Sequence, residues 1–456
     1  MQIPFDLIEK YNVPVPRYTS YPPATFFGRD FGTKEYLEAV VQSNREKPEN
    51  ISIYIHIPFC TQLCLYCGCN THITKNMELM RDYMAALKKE ILQIRPLLDP
   101  ARKVSQIHWG GGTPNALPAE QIGEIMALLN SEFRFIDRPE IAVECNPAHL
   151  DESYIWKLAE MGFNRISLGV QDFREDVLEA VKREVPAIPV KELCSMIRSK
   201  PGMSVNLDFI YGLPFQTAAS FAETINRAID IAPDRLVTFS YAHVPWVKKA
   251  QKKLEEYGLP PAEEKVKMFE NAWERMNHAG YVPIGLDHYS RPEDELSRAL
   301  KNRSLHRNFQ GYCTRETTGQ VYAFGVTGIS QLENVYAQNV RTVKEYIEGH
   351  GSVRIEKGYR LSLTEKIARE AINEIMCNHY LSWTQLSERF EMPAEELKSM
   401  LGFRPEKLAP FIADHLLEYS GDDLLIGDTG RFFLRNIAAV FDVHAADQTH
   451  QYSKSV

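Results

Sequence analysis

The sequence predicts an α/β protein whose largest part is an open three-quarter (β/α)6 barrel, with an N-terminal arm before it and a mostly helical domain after it. Two observations support this fold class. Short apolar runs typical of buried strands alternate six times with amphipathic stretches typical of helices, which indicates a parallel sheet. Six units are fewer than the eight that close a full barrel. We therefore expect an open barrel with the active residues at the carboxyl ends of its strands.

The predicted elements follow one another regularly after an arm in which several prolines interrupt any long helix. The six strands are predicted over 51–57, 104–110, 140–145, 165–170, 203–212 and 235–243. The helices are predicted over 80–98, near 118–131, from 151 onward, up to 199, over 216–231 and over 262–279. Polar residues or glycines cluster at five strand ends, which are Gly110, Glu144, Gln171, Asp208 and Tyr241. This clustering is the second observation in favour of a barrel.

Four ranges describe the predicted domain organisation: an arm over 1–48, a partial barrel over 49–290, a connecting and substrate-site segment over 291–360, and a helical C-terminal domain over 361–456. The C-terminal domain opens on an amphipathic helix over 361–382 and contains a hairpin-like run over 422–434. Such a domain resembles winged-helix nucleic-acid binders. The acidic balance of the chain favours a substrate lid or a packing unit instead.

Composition and charge limit the classes of function that the chain can have. The chain has 456 residues and a formal net charge of −8, which argues against nonspecific nucleic-acid binding because such binding needs a basic surface. The first residues lack a basic leader followed by an apolar run, and no apolar stretch is long enough to span a bilayer. We expect a cytoplasmic monomer that binds neither nucleic acid nor membrane.

Four cysteines lie within the run YIHIPFCTQLCLYCGCN, and three of them, Cys60, Cys64 and Cys67, have the spacing C-x3-C-x2-C. A zinc site usually needs four ligands in two pairs, and the other cysteines of the chain are scattered singly. Iron–sulfur clusters are normally held by four thiolates, so a triplet indicates a [4Fe–4S] cluster with one iron left open. This arrangement is typical of enzymes that use a radical derived from S-adenosylmethionine (SAM).

Cys69, two residues after the triplet, has two interpretations. As a fourth ligand it would close the cluster and prevent SAM from chelating the open iron. As a nearby thiol that does not bind iron, it would be available for catalysis, and the chemistry of an open iron favours this second interpretation. Its simplest alternative is a buried small residue.

The chain resembles the oxygen-independent coproporphyrinogen III oxidases, the anaerobic radical SAM family of heme synthesis. The resemblance covers nearly the whole chain and is carried by the cysteine run and by PRYTSYPP, WGGGTP, GVQDF, DFIYGLP, SYAHVP and HRNFQGY. One departure lies in ECNP, Glu144 to Pro147, where this family more often has Val–Asp after the glutamate. Cys145 and Asn146 are therefore atypical.

The resemblance implies a role for many residues. Cys60, Cys64 and Cys67 hold the cluster, and Tyr54, His56 and Cys69 serve catalysis. The predicted contacts of a first SAM are Tyr54, Gly111, Glu144 and Ile329. The predicted contacts of a second SAM are Tyr66, Gly112, Thr113, Gln171, Arg183, Asp208 and Ala242. Arg17, Tyr18, Arg307 and Gln310 are candidate substrate contacts.

Each of these assignments has an ordinary structural alternative. A glycine triplet is usually a turn, and a tyrosine on a buried strand is usually core. From the residues alone, Arg183 within AVKREV is a solvated helix face.

The implied reaction is the oxidative decarboxylation of two propionate side chains of coproporphyrinogen III to vinyl groups, which gives protoporphyrinogen IX through a 5′-deoxyadenosyl radical. The implied partners are the porphyrinogen and a low-potential electron donor that the sequence does not identify. Two other functions stay open: a radical-SAM-like heme chaperone or heme-binding protein, and a radical SAM methylase that modifies heme. The cysteine after the triplet and the PRYTSYP arm favour the oxidase, whereas the ECNP departure leans slightly towards the chaperone.

Overall fold

The computed structural model describes residues 3–445, and its contacts divide the chain into two compact units that interleave along the sequence. The barrel unit consists of 27–268 together with 317–360. The second unit consists of the described residues of 1–26, 269–316 and 361–456. The four domain ranges given above remain a prediction about organisation.

The barrel unit contains the six predicted parallel strands. They are β1 (Ile51–Ile57), β2 (Lys103–Gly111), β3 (Arg134–Cys145), β4 (Arg165–Gln171), β5 (Ser204–Tyr211) and β6 (Arg235–Ser240). Each pairs with the next in parallel register. β3 begins six residues before its predicted start at 140, and a register irregularity near Val104 in its pairing with β2 accommodates the extra length. β6 ends at Ser240, three residues before its predicted end at 243.

Four further strands extend this sheet beyond β1 and were not predicted. They are β7 (Gln320–Phe324), β8 (Ile329–Gln331), β9 (Val335–Asn339) and β10 (Ile355–Arg360). β7 pairs with β1 in parallel, and β7 to β10 form an antiparallel meander. Within the barrel unit the spatial order is therefore β10-β9-β8-β7-β1-β2-β3-β4-β5-β6.

The longer helices of the barrel unit follow the strand–helix alternation. They are Thr33–Gln42, Met77–Ile94, Ala119–Glu132, Glu152–Glu160, Glu175–Ala180, Val190–Arg198, Ala218–Ile231 and Val343–Glu348, and Ala262–His278 begins in this unit. Side-chain caps define several starts; for example, the Asn76 side chain accepts hydrogen bonds from two backbone N–H groups of the first turn. Helix Met77–Ile94 buries Tyr83, Leu87, Ile91 and Ile94, whose spacing places them on one face.

The second unit is mostly helical. Its helices are Phe5–Tyr11, Glu295–Lys301, Leu363–Asn378, Trp383–Phe390, Ala394–Met400, Ala409–Ala413 and Leu434–Ala438. Its strands are Val282–Pro283, His288–Ser290, Leu305–Asn308, Gly311–Thr314, Tyr380–Ser382, Leu417–Ser420 and Asp423–Ile426. Leu417–Ser420 and Asp423–Ile426 form a hairpin that begins earlier in the chain than the hairpin predicted over 422–434. The later part of the predicted range, Thr429–Phe433, is a 3-10 helix.

The first part of the predicted N-terminal arm, residues 3–26, belongs to the second unit and packs within it. The Tyr11 ring stacks on Phe411 with the centroids 5.0 Å apart, and the Arg435 guanidinium donates a hydrogen bond of 3.0 Å to the Pro16 carbonyl. None of the helices between residues 3 and 445 has the length and apolar character that crossing a bilayer requires.

Candidate functional site

The cysteine loop begins directly after β1 and lies at the carboxyl edge of the parallel sheet. Phe59–Cys60 and His72–Ile73 pair in parallel and close the loop at its base. Ile57, Phe59 and Leu65 are buried and give the base of the loop an apolar surrounding. The Leu65 N–H also donates to the Val181 carbonyl at 2.9 Å, so the middle of the loop is attached to the segment after β4.

One cleft contains all four cysteines of the loop. Its empty volume is about 840 Å3, including the solvent-open mouth. Its lining includes Cys60, Cys64, Cys67 and Cys69 together with Tyr66, Gly111, Gly112, Thr113, Glu144, Gln171, Arg183 and Asp208. The three cysteines of the triplet are partly exposed and Cys69 is exposed, whereas Cys145, Cys194, Cys313 and Cys377 are buried. The four thiols of the loop are therefore accessible to a ligand in this cleft.

The thiols of the loop differ in acidity. The hydrogen bond from the Cys69 thiol lowers the pKa of Cys67 to about 6, with smaller contributions from the Cys69 backbone, Lys248 and Arg183. Burial raises the pKa of Cys60 to about 11, although the Thr113 hydroxyl lies 3.4 Å from its sulfur. Because the thiolate is the metal-binding form, the positive groups near this loop favour binding of a cluster.

The glycines after β2 allow close approach of three chain segments. A Cβ on Gly110 would lie 2.8 Å from a carboxylate oxygen of Glu144. A Cβ on Gly111, whose φ is +114°, would lie 2.7 Å from the His56 ring. The Gly112 N–H donates to the Ile57 carbonyl at 2.7 Å. The glycine run is therefore required by packing around the cleft and is more than a simple turn.

A chain of polar side chains crosses from β1 to β3. The Tyr54 hydroxyl lies 3.2 Å from His56 Nδ1, and the Tyr54 ring stacks on His108 at 6.0 Å. His108 Nε2 lies 2.9 Å from Glu144 Oε1. Burial raises the pKa of Glu144, but the hydrogen bond and the charge of His108 outweigh it, and the net pKa lies below its usual value. Glu144 is thus an ionised carboxylate at the cleft.

Burial shifts the pKa values of Tyr54 and His56 in opposite directions. It lowers the pKa of His56 to about 4, so that His56 is neutral near pH 7. It raises the pKa of Tyr54, and the Glu144 charge raises it further. Tyr54 therefore remains a protonated hydrogen-bond donor.

Three polar side chains from separate segments meet on the opposite side of the cleft. Gln171, at the end of β4, has a left-handed backbone with φ +71°. Asp208 on β5 accepts 2.7 Å and 3.0 Å hydrogen bonds from Ser167 and Asn206. The Arg183 guanidinium donates to the Gly169 carbonyl at 2.5 Å and lies 3.9 Å from the Cys64 sulfur.

The position of Arg183 argues against its alternative interpretation as a residue on a solvated helix face. Its side chain lines the cleft, and its buried Nε has no hydrogen-bond partner in the protein. A buried donor without a partner is costly. This nitrogen is therefore available to an acceptor on a ligand.

A polar network that the sequence did not predict attaches the cysteine loop to this side. Asn146 donates through its side-chain amide to Glu184 at 2.9 Å, and its backbone N–H donates to the Asn115 side chain at 2.9 Å. The Thr61 hydroxyl, next to Cys60, donates to the Glu184 carboxylate at 3.2 Å, and His149 Nε2 lies 2.8 Å from Glu184. The only sequence signal was the atypical Asn146.

Comparison with known proteins agrees with this geometry. The profile of the Radical SAM superfamily matches residues 54–228. The chain is 41% identical over 449 residues to oxygen-independent coproporphyrinogen III oxidase from Synechocystis sp., covering 98% of this chain and 96% of the relative. The enzyme of that name from Escherichia coli is 38% identical over 467 residues, covering 100% of this chain and 99% of the relative.

This chain belongs to the family of oxygen-independent coproporphyrinogen III oxidases. A solved structure of coproporphyrinogen III oxidase from Escherichia coli, described as a radical SAM enzyme, superposes with a TM-score of 0.89 and 36% identity. The match covers 97% of this chain and 99% of that structure. The fold class predicted from the sequence is therefore confirmed, and the chain is a radical SAM oxidoreductase with a [4Fe–4S] cluster and SAM as cofactors.

The donor set in the cleft fits these cofactors of the oxidase family. Between residues 3 and 445, no three His, Cys, Asp or Glu side chains converge on one point as ligands of a single metal ion. A cubane cluster instead takes one thiolate on each iron that it offers, and the three cysteines of the triplet line one cleft. The ionised Glu144 suits the amino group of one SAM, and the unpartnered Arg183 Nε suits the carboxylate of another.

Some predicted site residues lie outside the lining of the cleft. Tyr54 and His56 are absent from that lining; the Tyr54 ring stacks on His108, and the His56 ring lies beside Gly111. Ala242 follows β6 and Ile329 begins β8, and neither lines the cleft. These four assignments remain predictions.

The candidate substrate contacts Arg17, Tyr18, Arg307 and Gln310 belong to the second unit. There the Tyr18 hydroxyl donates to Asp442 at 3.0 Å, and the Arg307 guanidinium lies 5.2 Å from the centre of the Tyr312 ring. These assignments also remain predictions.

Proposed function

We propose that this chain catalyses the anaerobic oxidative decarboxylation of the two propionate side chains of coproporphyrinogen III that become vinyl groups, giving protoporphyrinogen IX. The observation that carries this proposal is the presence of three triplet thiols, an ionised carboxylate and a buried guanidinium in one cleft. The relatives of that name, which align over almost the entire chain, supply the substrate class.

The residues of the chain divide into cluster ligands and SAM ligands. Cys60, Cys64 and Cys67 would hold the [4Fe–4S] cluster, and SAM would bind beside it in the same cleft. When bound, the reduced cluster and SAM supply a 5′-deoxyadenosyl radical that takes a hydrogen atom from the β-carbon of a propionate. Loss of carbon dioxide then leaves a vinyl group and one electron, which an acceptor must collect.

Residues on the β1–β3 side of the cleft orient the first SAM. Glu144 is ionised because of His108, so it accepts hydrogen bonds from the amino group or the ribose. Tyr54, Gly111 and Ile329 complete the first-SAM contacts in this proposal. Tyr54 and His56 are both uncharged near pH 7 and hold one another through a hydrogen bond. In this proposal the pair serves catalysis as uncharged hydrogen-bonding groups.

Residues on the β4–β5 side form the proposed site of a second SAM. Its contacts are Tyr66, Gly112, Thr113, Gln171, Arg183, Asp208 and Ala242. Arg183 has a free buried donor for a carboxylate, and a carboxylate such as Asp208 accepts hydrogen bonds from ribose hydroxyls. The convergence of three separate chain segments on one side of the cleft supports this assignment.

Cys69 is proposed as a catalytic thiol that does not bind iron. It is exposed and lines the same cleft as the triplet. We also propose that the protein is a cytoplasmic monomer that receives electrons from a low-potential donor.

Anaerobic incubation of the reconstituted protein with SAM, a chemical reductant and coproporphyrinogen III tests the function directly. Porphyrin chromatography after oxidation should reveal protoporphyrin IX, with a tricarboxylic product at intermediate times. A heme chaperone would bind heme stoichiometrically and leave the porphyrinogen unchanged. A heme methylase would give a product of higher mass from heme.

A further inference from the structure

The segment 243–257, which follows β6, is attached to the cysteine loop by two hydrogen bonds. Lys248 Nζ donates to the Cys69 carbonyl at 2.7 Å. The buried Gln251 side chain donates to the Tyr66 carbonyl at 3.0 Å and accepts from the Val244 N–H at 2.7 Å. Lys249–Tyr257 is a 3-10 helix in this segment. We call 243–257 the bracing segment, because it holds the part of the loop around Cys67.

The outward side of the bracing segment is apolar and basic. Trp246 and Val247 are 64% and 65% exposed, the highest values for large apolar side chains among the described residues. Lys249, Lys252 and Lys253 are exposed in the same segment. The run WVKKAQKKLEEY, residues 246–257, contains four lysines and two glutamates, whereas the whole chain has a net charge of −8. One of those glutamates, Glu255, lies 2.9 Å from His243.

Such a surface differs from an ordinary solvated lysine run. A solvated face has no need to expose a tryptophan, and exposed aromatic residues within a charged rim are typical of protein interfaces. Nucleic acid is a poor candidate partner, because its binding needs a broadly basic surface and the chain as a whole is acidic. A protein with an acidic surface is complementary in charge.

We propose that the outward side of the bracing segment docks a small acidic electron-transfer protein, which delivers single electrons to the cluster. This inference rests on the proposed function, because only a reductive SAM enzyme needs such a donor. In each transfer the partner loses one electron and the cluster gains one, with no bond formed or broken. Since the bracing segment contacts the carbonyls of Tyr66 and Cys69, on either side of Cys67, the partner would sit beside a cluster ligand.

The test compares two triple variants of the reconstituted protein. The first carries Lys249→Glu, Lys252→Glu and Lys253→Glu, which reverse the charge of the proposed surface and leave Lys248 and Gln251 intact. The control carries Lys34→Glu, Lys47→Glu and Lys344→Glu, whose lysine side chains are 81%, 80% and 83% exposed. A further variant, Trp246→Ala, removes the exposed aromatic residue. The probe is a purified acidic flavodoxin.

Two readouts are needed, and the first is binding measured by calorimetry at low and high salt. The wild type should bind the flavodoxin, more weakly at high salt because exposed charge pairs are screened. The first triple variant and Trp246→Ala should each weaken binding by about tenfold or more, which corresponds to about 1.4 kcal/mol. The control should bind like the wild type. Equal binding by all four proteins would overturn the proposal.

The second readout separates docking from catalysis. Cluster reduction by flavodoxin hydroquinone, followed anaerobically by stopped flow, should slow in the surface variants. SAM cleavage driven by dithionite should be unchanged in them. A raised KM for coproporphyrinogen in the dithionite assay would instead assign this surface to the polycarboxylate substrate and overturn the proposal. Failure of dithionite to drive any SAM cleavage in the wild type would contradict the proposed function, whereas the binding result would still decide whether the surface docks an acidic protein.

Discussion

The side-chain amide of Asn146 donates a 2.9 Å hydrogen bond to the carboxylate of Glu184, and this bond joins the end of β3 to the residue that follows Arg183. The same carboxylate accepts from Thr61, the residue after Cys60. The cysteine loop and the arginine side of the cleft are therefore held by one anion. Asn146 is one of the two atypical residues of ECNP. Its side-chain amide donates a hydrogen bond to Glu184, whereas an aspartate at this position would place a second negative charge beside Glu184.

Replacing Asn146 with Asp should destabilise the protein, because two carboxylates would then face each other at hydrogen-bond distance. We expect the free energy of unfolding to fall by about 1–3 kcal/mol, the usual cost of a lost buried hydrogen bond. Chemical denaturation of the apoprotein measures it. The double variant Asn146→Asp with Glu184→Gln restores one amide–carboxylate pair with its direction exchanged and should recover part of the loss. Glu160→Gln, at an exposed position on a neighbouring helix, serves as the control.

Cluster assembly should require each cysteine of the triplet. Alanine at Cys60, Cys64 or Cys67 removes one of only three thiolates, so no stable cluster should form after anaerobic reconstitution. Iron and sulfide content and low-temperature EPR provide the measurement. Cys194→Ala, which alters a buried cysteine outside the cleft, should retain the cluster. A triplet variant with a normal cluster that still cleaves SAM would show that the ligand assignment is wrong.

Cys69→Ala should behave differently from the triplet variants. The cluster should assemble, since three ligands remain, and formation of protoporphyrinogen should be lost. Loss of the cluster would make Cys69 a ligand, and turnover near the wild-type rate would remove it from the functional residues. Cys69→Ser is the informative partner variant, because it retains a proton donor of similar size.

Arg183→Ala should weaken the proposed second SAM site and leave the cluster and the first SAM intact. The expected cost is about 2–5 kcal/mol if Arg183 is a buried partner of a ligand carboxylate. Anaerobic binding stoichiometry should then fall from two SAM per chain towards one, with decarboxylation impaired. Arg198→Ala is the control, because the Arg198 guanidinium donates to the Ile231 and Ala232 carbonyls at the end of another helix. Binding of one SAM by the wild type, or full activity of Arg183→Ala, would refute the assignment.

The sequence predicted those parts of the structure that depend on local patterns. The six parallel strands follow from short apolar runs, and the cysteine triplet follows from its spacing. The triplet, Glu144, Gln171, Arg183 and Asp208 all reached the same cleft because the carboxyl ends of parallel strands meet at one edge.

The parts that were missed depend on contacts between distant residues. β7 is five residues long and is buried throughout, so its run QVYAF carries no alternating pattern. The contacts of Asn146 with Glu184 and of Gln251 with the cysteine loop join segments far apart in the chain. Amide side chains occur everywhere in sequences, and only the folded chain shows which of them are buried donors.

The central claim is that this chain removes a hydrogen atom from a propionate of coproporphyrinogen III by means of SAM. The most direct measurement uses coproporphyrinogen III deuterated at the β-carbons of its propionates, incubated anaerobically with SAM, a reductant and the reconstituted protein. Mass spectrometry of the 5′-deoxyadenosine should find one deuterium per molecule, in step with vinyl formation. Unlabelled 5′-deoxyadenosine, or vinyl groups formed without it, would contradict the account.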